Sequence, residues 1–240
     1  SGLALGFGEA GCGNYEVVGI EGFTSAMQEA MRKALMFTKI DKKDIKAIGL
    51  GISGFDWHSE RAIMVSAISA LGIDAPYDFV NDAVIGLIAG SSEGWGVAVD
   101  AGTGNNVMGR DKSGKIGRIT GNSIRCGEFG GAGELVWKAS VAVIYAWTQR
   151  GPKTQMTQLF MAAAGVNYEE ALIEGLAMDH IQLSPILAKQ IFQLAAQGDT
   201  VAQEVVNFTA RELALNVNAV IRQLNFQKLS FEVILFGSTF

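Results

Sequence analysis

Proline and cysteine are nearly absent from this sequence, with 3 and 2 residues among 240. Cys12 and Cys126 form no Cys-x-x-Cys pair and no Cys/His spacing that suits zinc, which argues against a disulfide scaffold or a zinc module. A reducing, cytoplasmic setting is expected. His58 and His180 stand alone, so no metal site is expected from protein ligands. The 19 basic residues are outnumbered by 24 acidic ones and nowhere form a run. Nucleic acid is therefore not an expected partner, because binding to its phosphate backbone needs clustered cations. No apolar run reaches the roughly 18 residues of a membrane span, and no signal-peptide pattern opens the chain. Ser1 stands in the place of an initiator Met, the chain opens inside the apolar Leu3-Ala4-Leu5-Gly6-Phe7, and it stops just after Leu235-Phe236-Gly237. Both ends are expected to be cuts within a longer protein.

Glycine, by contrast, is abundant, with 30 residues and no low-complexity tract. Scattered glycines suggest tight strand-to-loop turns where backbone approaches backbone or ligand closely. Residues 3–9 read as a strand, followed by the loop Gly11-Cys12-Gly13-Asn14-Tyr15 and a helix over about 22–38. Ile45–Ile52 and Asp78–Val80 read as buried parallel strands, with helices near 59–71 and 83–89. Ser91-Ser92-Glu93-Gly94 is the candidate boundary, giving domains of 1–92 and 93–240. Beyond it a strand at 95–99, a hairpin of 107–110 with 116–120, and helices near 132–148, 154–164, 167–177, 183–196 and 199–224 lead to a last strand at 231–236. This order gives an α/β fold whose second half is rich in helices.

Four polar loops each follow an expected strand. Val99-Asp100-Ala101-Gly102-Thr103-Gly104-Asn105 offers small residues and a hydroxyl, which suits a polyphosphate and equally an ordinary hairpin turn. Asn81-Asp82 ends a strand just before a helix, so Asp82 is either a general base or a helix cap. Ser53 and Asn14 are candidates for ligand hydroxyls, or plain turn residues. If the four strands are parallel neighbours, all four loops share one end of one sheet, where open α/β folds bind ligands. Arg125, Glu128 and Glu134 are ambiguous charges.

These segments, in this order, resemble the N-acetylglucosamine kinase branch of the actin-like ATPases and the related BadF/BadG/BcrA/BcrD ATPases. The resemblance rests on Gly13-Asn14-Tyr15, Gly49-Leu50-Gly51-Ile52-Ser53-Gly54, Asn81-Asp82-Ala83, Gly102-Thr103-Gly104-Asn105, Phe129-Gly130-Gly131-Ala132-Gly133 and Leu235-Phe236-Gly237. It implies two ribonuclease-H-like lobes around a central cleft, binding ATP with Mg²⁺ and a sugar. It implies Asp82 as the base, Gly102, Thr103, Gly104 and Asn105 as a second phosphate loop, and Gly237 and Ser238 as the start of an adenosine loop. Asn14, Ser53 and Asp82 become sugar contacts, with Glu128 a candidate replacement contact, because the family's Gly-Asp-Glu-Gly-Ser aligns with Gly130-Gly131-Ala132-Gly133-Glu134 and loses both acids. The family's first phosphate loop, Asp-Gly-Gly-Gly-Thr, is expected upstream of Ser1, within about 15–20 residues, and 1–240 alone is expected to bind ATP poorly.

The leading expectation is an ATP-dependent kinase of a sugar or amino sugar, with a homodimer left open. Two others stand beside it. One is an ATPase that activates a radical dehydratase or reductase, for which Cys12 and Cys126 do not reproduce an iron–sulfur arrangement. The other is a sugar or nucleotide sensor that keeps the cleft without turnover.

Overall fold

The computed structural model describes residues 2–240; Ser1 lies outside them. The chain separates into two compact units, the first ending at Gly90 and the second running from Ser91 to Phe240.

In the first unit, two short runs of apolar residues make a parallel pair, β1 (Ile48–Ile52) and β2 (Tyr77–Asn81). A parallel pair needs a crossover, and α2 (Arg61–Ser69) supplies it. Helix α1 (Tyr15–Met36) precedes β1, and α3 (Asp82–Gly90) begins directly where β2 ends. Phe23, Ile52, Met64, Ala67, Ile68, Leu71 and Phe79 close the core between α1, α2 and the strands. Helix α1 is not continuous: Gly19 sits at φ 70°, ψ 174°, so its first turn is set off from the rest. The expected strand at 3–9 does not form. Residues 2–13 belong to no strand, and Leu3, Leu5 and Phe7 are exposed. Apolar residues make a strand only when a partner edge takes their N–H and C=O groups. Here the segment runs instead along α1, where the Lys33 ammonium donates to the Glu9 carbonyl at 2.8 Å.

The second unit is built on a four-stranded sheet in the order β5 (Ile116–Arg118), β4 (Asn105–Arg110), β3 (Gly96–Ala101), β6 (Glu232–Phe236). β3 is antiparallel to β4 and parallel to β6. Its valines Val97 and Val99 and Val107 of β4 pack under Val220 and Leu224, from α8 (Thr200–Gln223) and the residue that caps it. A second cluster joins α4 (Ala132–Trp147), α5 (Met156–Ala164), α6 (Glu169–Ala177), α7 (Ala188–Ala196) and the start of α8. The apolar stripe of α8 is thus shared: Val201 and Val205 serve the helical cluster, Val220 the sheet. Among the described residues no helix is long and apolar enough to cross a membrane.

Asp199 joins three elements of that helical cluster. Its carboxylate caps α8 through Ala202 N (2.9 Å) and also accepts from Gln155 N (2.7 Å) and Thr154 Oγ1 (2.8 Å). Burial pushes its pKa upward, but these donors together with the Val201 N–H outweigh burial and hold the carboxyl below its usual value. Asp199→Ala is expected to destabilise the protein by about 2–3 kcal/mol, the loss of a cap plus one buried donor and one partly buried donor left without this partner. Because the folded pKa is the lower one, this contribution is complete above the unfolded value near 3.9. It fades as pH falls through the folded value. Urea melts of wild type and variant should differ at pH 7 and converge in strong acid.

Candidate active site

In the first unit the site is made by the register of the two strands. Ile52 pairs with Asn81, so the next residues, Ser53 and Asp82, leave the same carboxyl edge side by side. Asp82 opens α3 and is half-buried; one of its oxygens accepts the Ala83 N–H at 2.9 Å. Asn81, the residue before α3, accepts the same Ala83 N–H at 2.9 Å, so the start of the helix is tied by both side chains. Asn14 reaches this edge by another route than expected. It follows no strand; it is the N-cap of α1, accepting from Glu16 N at 2.9 Å. Its amide lies 3.4 Å from the Ser53 hydroxyl. The structure thus brings Asn14, Ser53 and Asp82 to one edge of this unit.

Gly54 makes that approach feasible. Its φ is +83°, a region costly for other residues, and a Cβ there would stand 2.7 Å from Asn14 Oδ1 and 3.3 Å from the Tyr15 ring. Gly54→Ala is expected to cost about 2 kcal/mol and to push Asn14 off Ser53. Urea denaturation checks the first effect, and a crystal structure of the variant the second.

Sequence reasoning passed over the second layer of this edge. Asp56 and Asn81 are buried, at 7% and 5% exposure, and the Asn81 amide donates to Asp56 Oδ1 at 3.2 Å. Glu60 accepts the Asp56 and Trp57 N–H groups at 2.9 and 2.7 Å. Burial first, then the hydrogen bonding and charge of Glu60 and the charges of Glu16 and Asp56, push the Tyr15 phenol far above its usual pKa. The signal in the sequence was Asp-x-x-x-Glu two positions after the Ser53-Gly54 that follows β1, a pattern that reads as a turn.

In the second unit, the loop Gly102–Gly104 joins the antiparallel strands β3 and β4. The four expected loops therefore do not share one parallel sheet: Ser53 and Asp82 belong to the two-stranded sheet, and Thr103 to a hairpin of the other. The loop is also tied to α4. Ala132 N donates to the Gly102 carbonyl at 2.9 Å and Gly133 N to the Thr103 carbonyl at 2.7 Å, so the first turn of α4 grips two loop carbonyls. No peptide is cis. In a trans peptide C=O and N–H point in opposite directions. The N–H groups of Thr103 and Gly104 therefore point away from α4, at a tip where both residues are exposed. Backbone donors at an exposed tip, with a hydroxyl on the same residue, are groups of the kind that hold anions.

Because β3 and β6 are parallel, their carboxyl ends meet at the same edge. Gly237, at φ 108°, turns the chain after β6, and Thr239 donates its N–H to the Ala101 carbonyl (2.9 Å) and its hydroxyl to the Gly102 carbonyl (3.3 Å). Gly237 and the exposed Ser238 thus lie beside the phosphate-loop candidate. Thr239, missed in the sequence, fastens them there.

Two candidates move to structural roles. Asn105 is 6% exposed and faces inward, its amide on the Glu128 carbonyl (3.3 Å) and its oxygen accepting from Asn216 (3.2 Å). The Glu128 carboxylate is buried and takes Thr120 N, Thr120 Oγ1 and Asn122 N at 2.6, 2.9 and 3.1 Å. It shapes the 120–122 turn. Glu134, also buried, reaches back to Gly131 N (2.7 Å) and accepts the Ser123 hydroxyl. The family model for BadF/BadG/BcrA/BcrD ATPases matches residues 1–240.

The chain belongs to the BadF/BadG/BcrA/BcrD ATPase family.

Among curated relatives, this family member is similar to the N-acetyl-D-glucosamine kinase of Dictyostelium discoideum, 29% identical over 234 residues that cover 90% of this chain and 72% of that protein. It is also 29% identical to the N-acetylmuramic acid/N-acetylglucosamine kinase of Clostridium acetobutylicum, over 84% of this chain and 66% of that one. The chain thus spans about two thirds to three quarters of these relatives. Among solved structures, a protein of Chromobacterium violaceum provisionally named an N-acetylglucosamine kinase matches with a TM-score of 0.69 at 20% identity, over 98% of this chain and 79% of its own. A Porphyromonas gingivalis protein with the same provisional name matches at 0.53 and 13%, over 90% and 81%. This likeness confirms the α/β, actin-like ATPase fold expected from the sequence.

Proposed function

We propose that the full-length protein phosphorylates an amino sugar with ATP, and that residues 1–240 carry both the acceptor-side and the phosphate-side groups. The observation that carries this reading is the grip of α4 on the Gly102 and Thr103 carbonyls, which turns two peptide N–H groups outward for a phosphate. Gly237 and Ser238, beside that loop, suit the nucleoside. On the first unit, Asn14 and Ser53 offer sugar-hydroxyl contacts, and the outer oxygen of Asp82 takes the proton from the attacking hydroxyl.

ATP use follows from the family, and Mg²⁺ is proposed with it. Among the described residues no three acidic, His or Cys side chains cluster as a metal cage. Mg²⁺ needs no such cage: it is held by phosphates, waters and one or two carboxylates. When bound it supplies neutralisation of phosphate charge. The chain's own groups position the two substrates and remove one proton, which is most of what phosphoryl transfer asks of a protein. The curated relatives named for N-acetylglucosamine and N-acetylmuramic acid support a 2-acetamido sugar as the acceptor.

An ADP-release assay on the full-length protein tests this. N-acetylglucosamine or N-acetylmuramic acid should raise ADP release at least about tenfold above the sugar-free rate, and glucose far less. ATP hydrolysis that ignores every sugar would turn the reading toward an activator ATPase. Binding of sugar or ATP without turnover would turn it toward a sensor.

A further inference from the structure

Asp82 is the first residue of α3, and no linker separates it from β2, which ends at Asn81. The direction in which Asp82 leaves the strand is therefore set by how Asn81 is held. The Asn81 side chain is held at both ends. Its oxygen accepts Ala83 N at 2.9 Å, inside the first turn of α3. Its amide donates to the Phe55 carbonyl and to Asp56 Oδ1, each at 3.2 Å. Asp56 is itself fixed: its N–H goes to Glu60, which also takes the Trp57 N–H. One chain of hydrogen bonds thus runs from Glu60, through Asp56 and Asn81, to the start of α3.

A carboxylate at 7% exposure is an expensive way to accept an amide proton if packing were its only purpose. From this network we infer that Asp56 is a positioning residue for the phosphoryl-transfer step: through Asn81 it holds Asp82 in line with the acceptor hydroxyl. This rests on the reading of Asp82 as the base. Asp56 is buried and acts through another side chain, so it touches neither sugar nor nucleotide in this role. A displacement of about 1 Å at a reacting group can cost about 100-fold in rate, which sets the scale of the effect.

The test uses the full-length protein with ATP and N-acetylglucosamine, reading kcat and the sugar KM separately on variants whose folding is checked by circular dichroism. Asp56→Ala should lower kcat about 30- to 100-fold and move the sugar KM less than about threefold. Asp56→Asn keeps an acceptor oxygen for the Asn81 amide and should recover kcat to within about fivefold of wild type. Asn81→Ala should lower kcat similarly, and the double variant should be no slower than the worse single one. If Asp56→Ala does not fold, Asn81→Ser, which is too short to reach Asp56, replaces it with the same expected loss. A folded Asp56→Ala or Asn81→Ser protein with kcat within threefold of wild type, or single effects that multiply, overturns the inference. Asp82→Asn is run alongside. If it is inactive while Asp56→Ala is normal, only the positioning role falls. If Asp82→Asn stays active, the base assignment itself falls.

Discussion

Replacing Asp82 with Asn is expected to lower kcat by about three orders of magnitude while leaving ATP affinity within twofold of wild type. Asn is isosteric with Asp, and its side-chain oxygen can still accept the Ala83 N–H, so the start of α3 survives. What is lost is the ability to take a proton. General-base catalysis contributes roughly 10²–10⁴-fold, and the proposed base leaves the edge of a parallel strand pair beside Ser53. ATP binding is assigned to the other unit and should not respond. Steady-state kinetics gives the first quantity and calorimetric titration of the nucleotide the second. A variant with near-normal kcat would remove Asp82 from the mechanism.

Gly131→Ala is expected to weaken ATP binding at least about tenfold and to leave sugar affinity nearly unchanged. Gly131 precedes α4 and is buried against the loop that carries Thr103 and Gly104. A Cβ at this position would run into the backbone carbonyl of Gly104, and backbone cannot yield as a flexible side chain can. The loop must then move off α4, breaking the bonds from Ala132 and Gly133 that orient its peptides. A cost of about 1–3 kcal/mol is typical of such overpacking, enough to scatter the two N–H groups that would face a phosphate. Titration with a non-hydrolysable ATP analogue checks this. Unaltered affinity would mean that the grip of α4 on the loop does not matter for the nucleotide.

Much of this could be read in the sequence because the elements are short and punctuated. Ile48–Ile52 and Tyr77–Asn81 are apolar runs that stop at polar residues. A strand that stops at Asn81-Asp82 and turns at once into a helix fixes where Asp82 must lie. The long helices showed their period, and the Gly-rich stretch at 102–104 showed its loop. Failures arose where a local pattern needed a distant partner. Leu3, Leu5 and Phe7 look like a strand, but strand formation is decided by an available edge. Asn14 was placed after that strand, whereas its side chain caps α1. The partners of Asn105 and Glu128, which are Asn216, Thr120 and Asn122, could not be read from the sequence at all. Asp56 shows the reverse: an unremarkable turn residue by sequence becomes a buried partner of Asn81 once two strands are set in register.

The most direct test follows the γ-phosphate itself. Full-length protein is incubated with ATP labelled at that position, Mg²⁺ and N-acetylglucosamine, and the label is traced. Label appearing in a sugar phosphate, mole for mole with ADP and abolished by Asp82→Asn, is the predicted result. Label released only as inorganic phosphate, at one rate with or without the sugar, would contradict it.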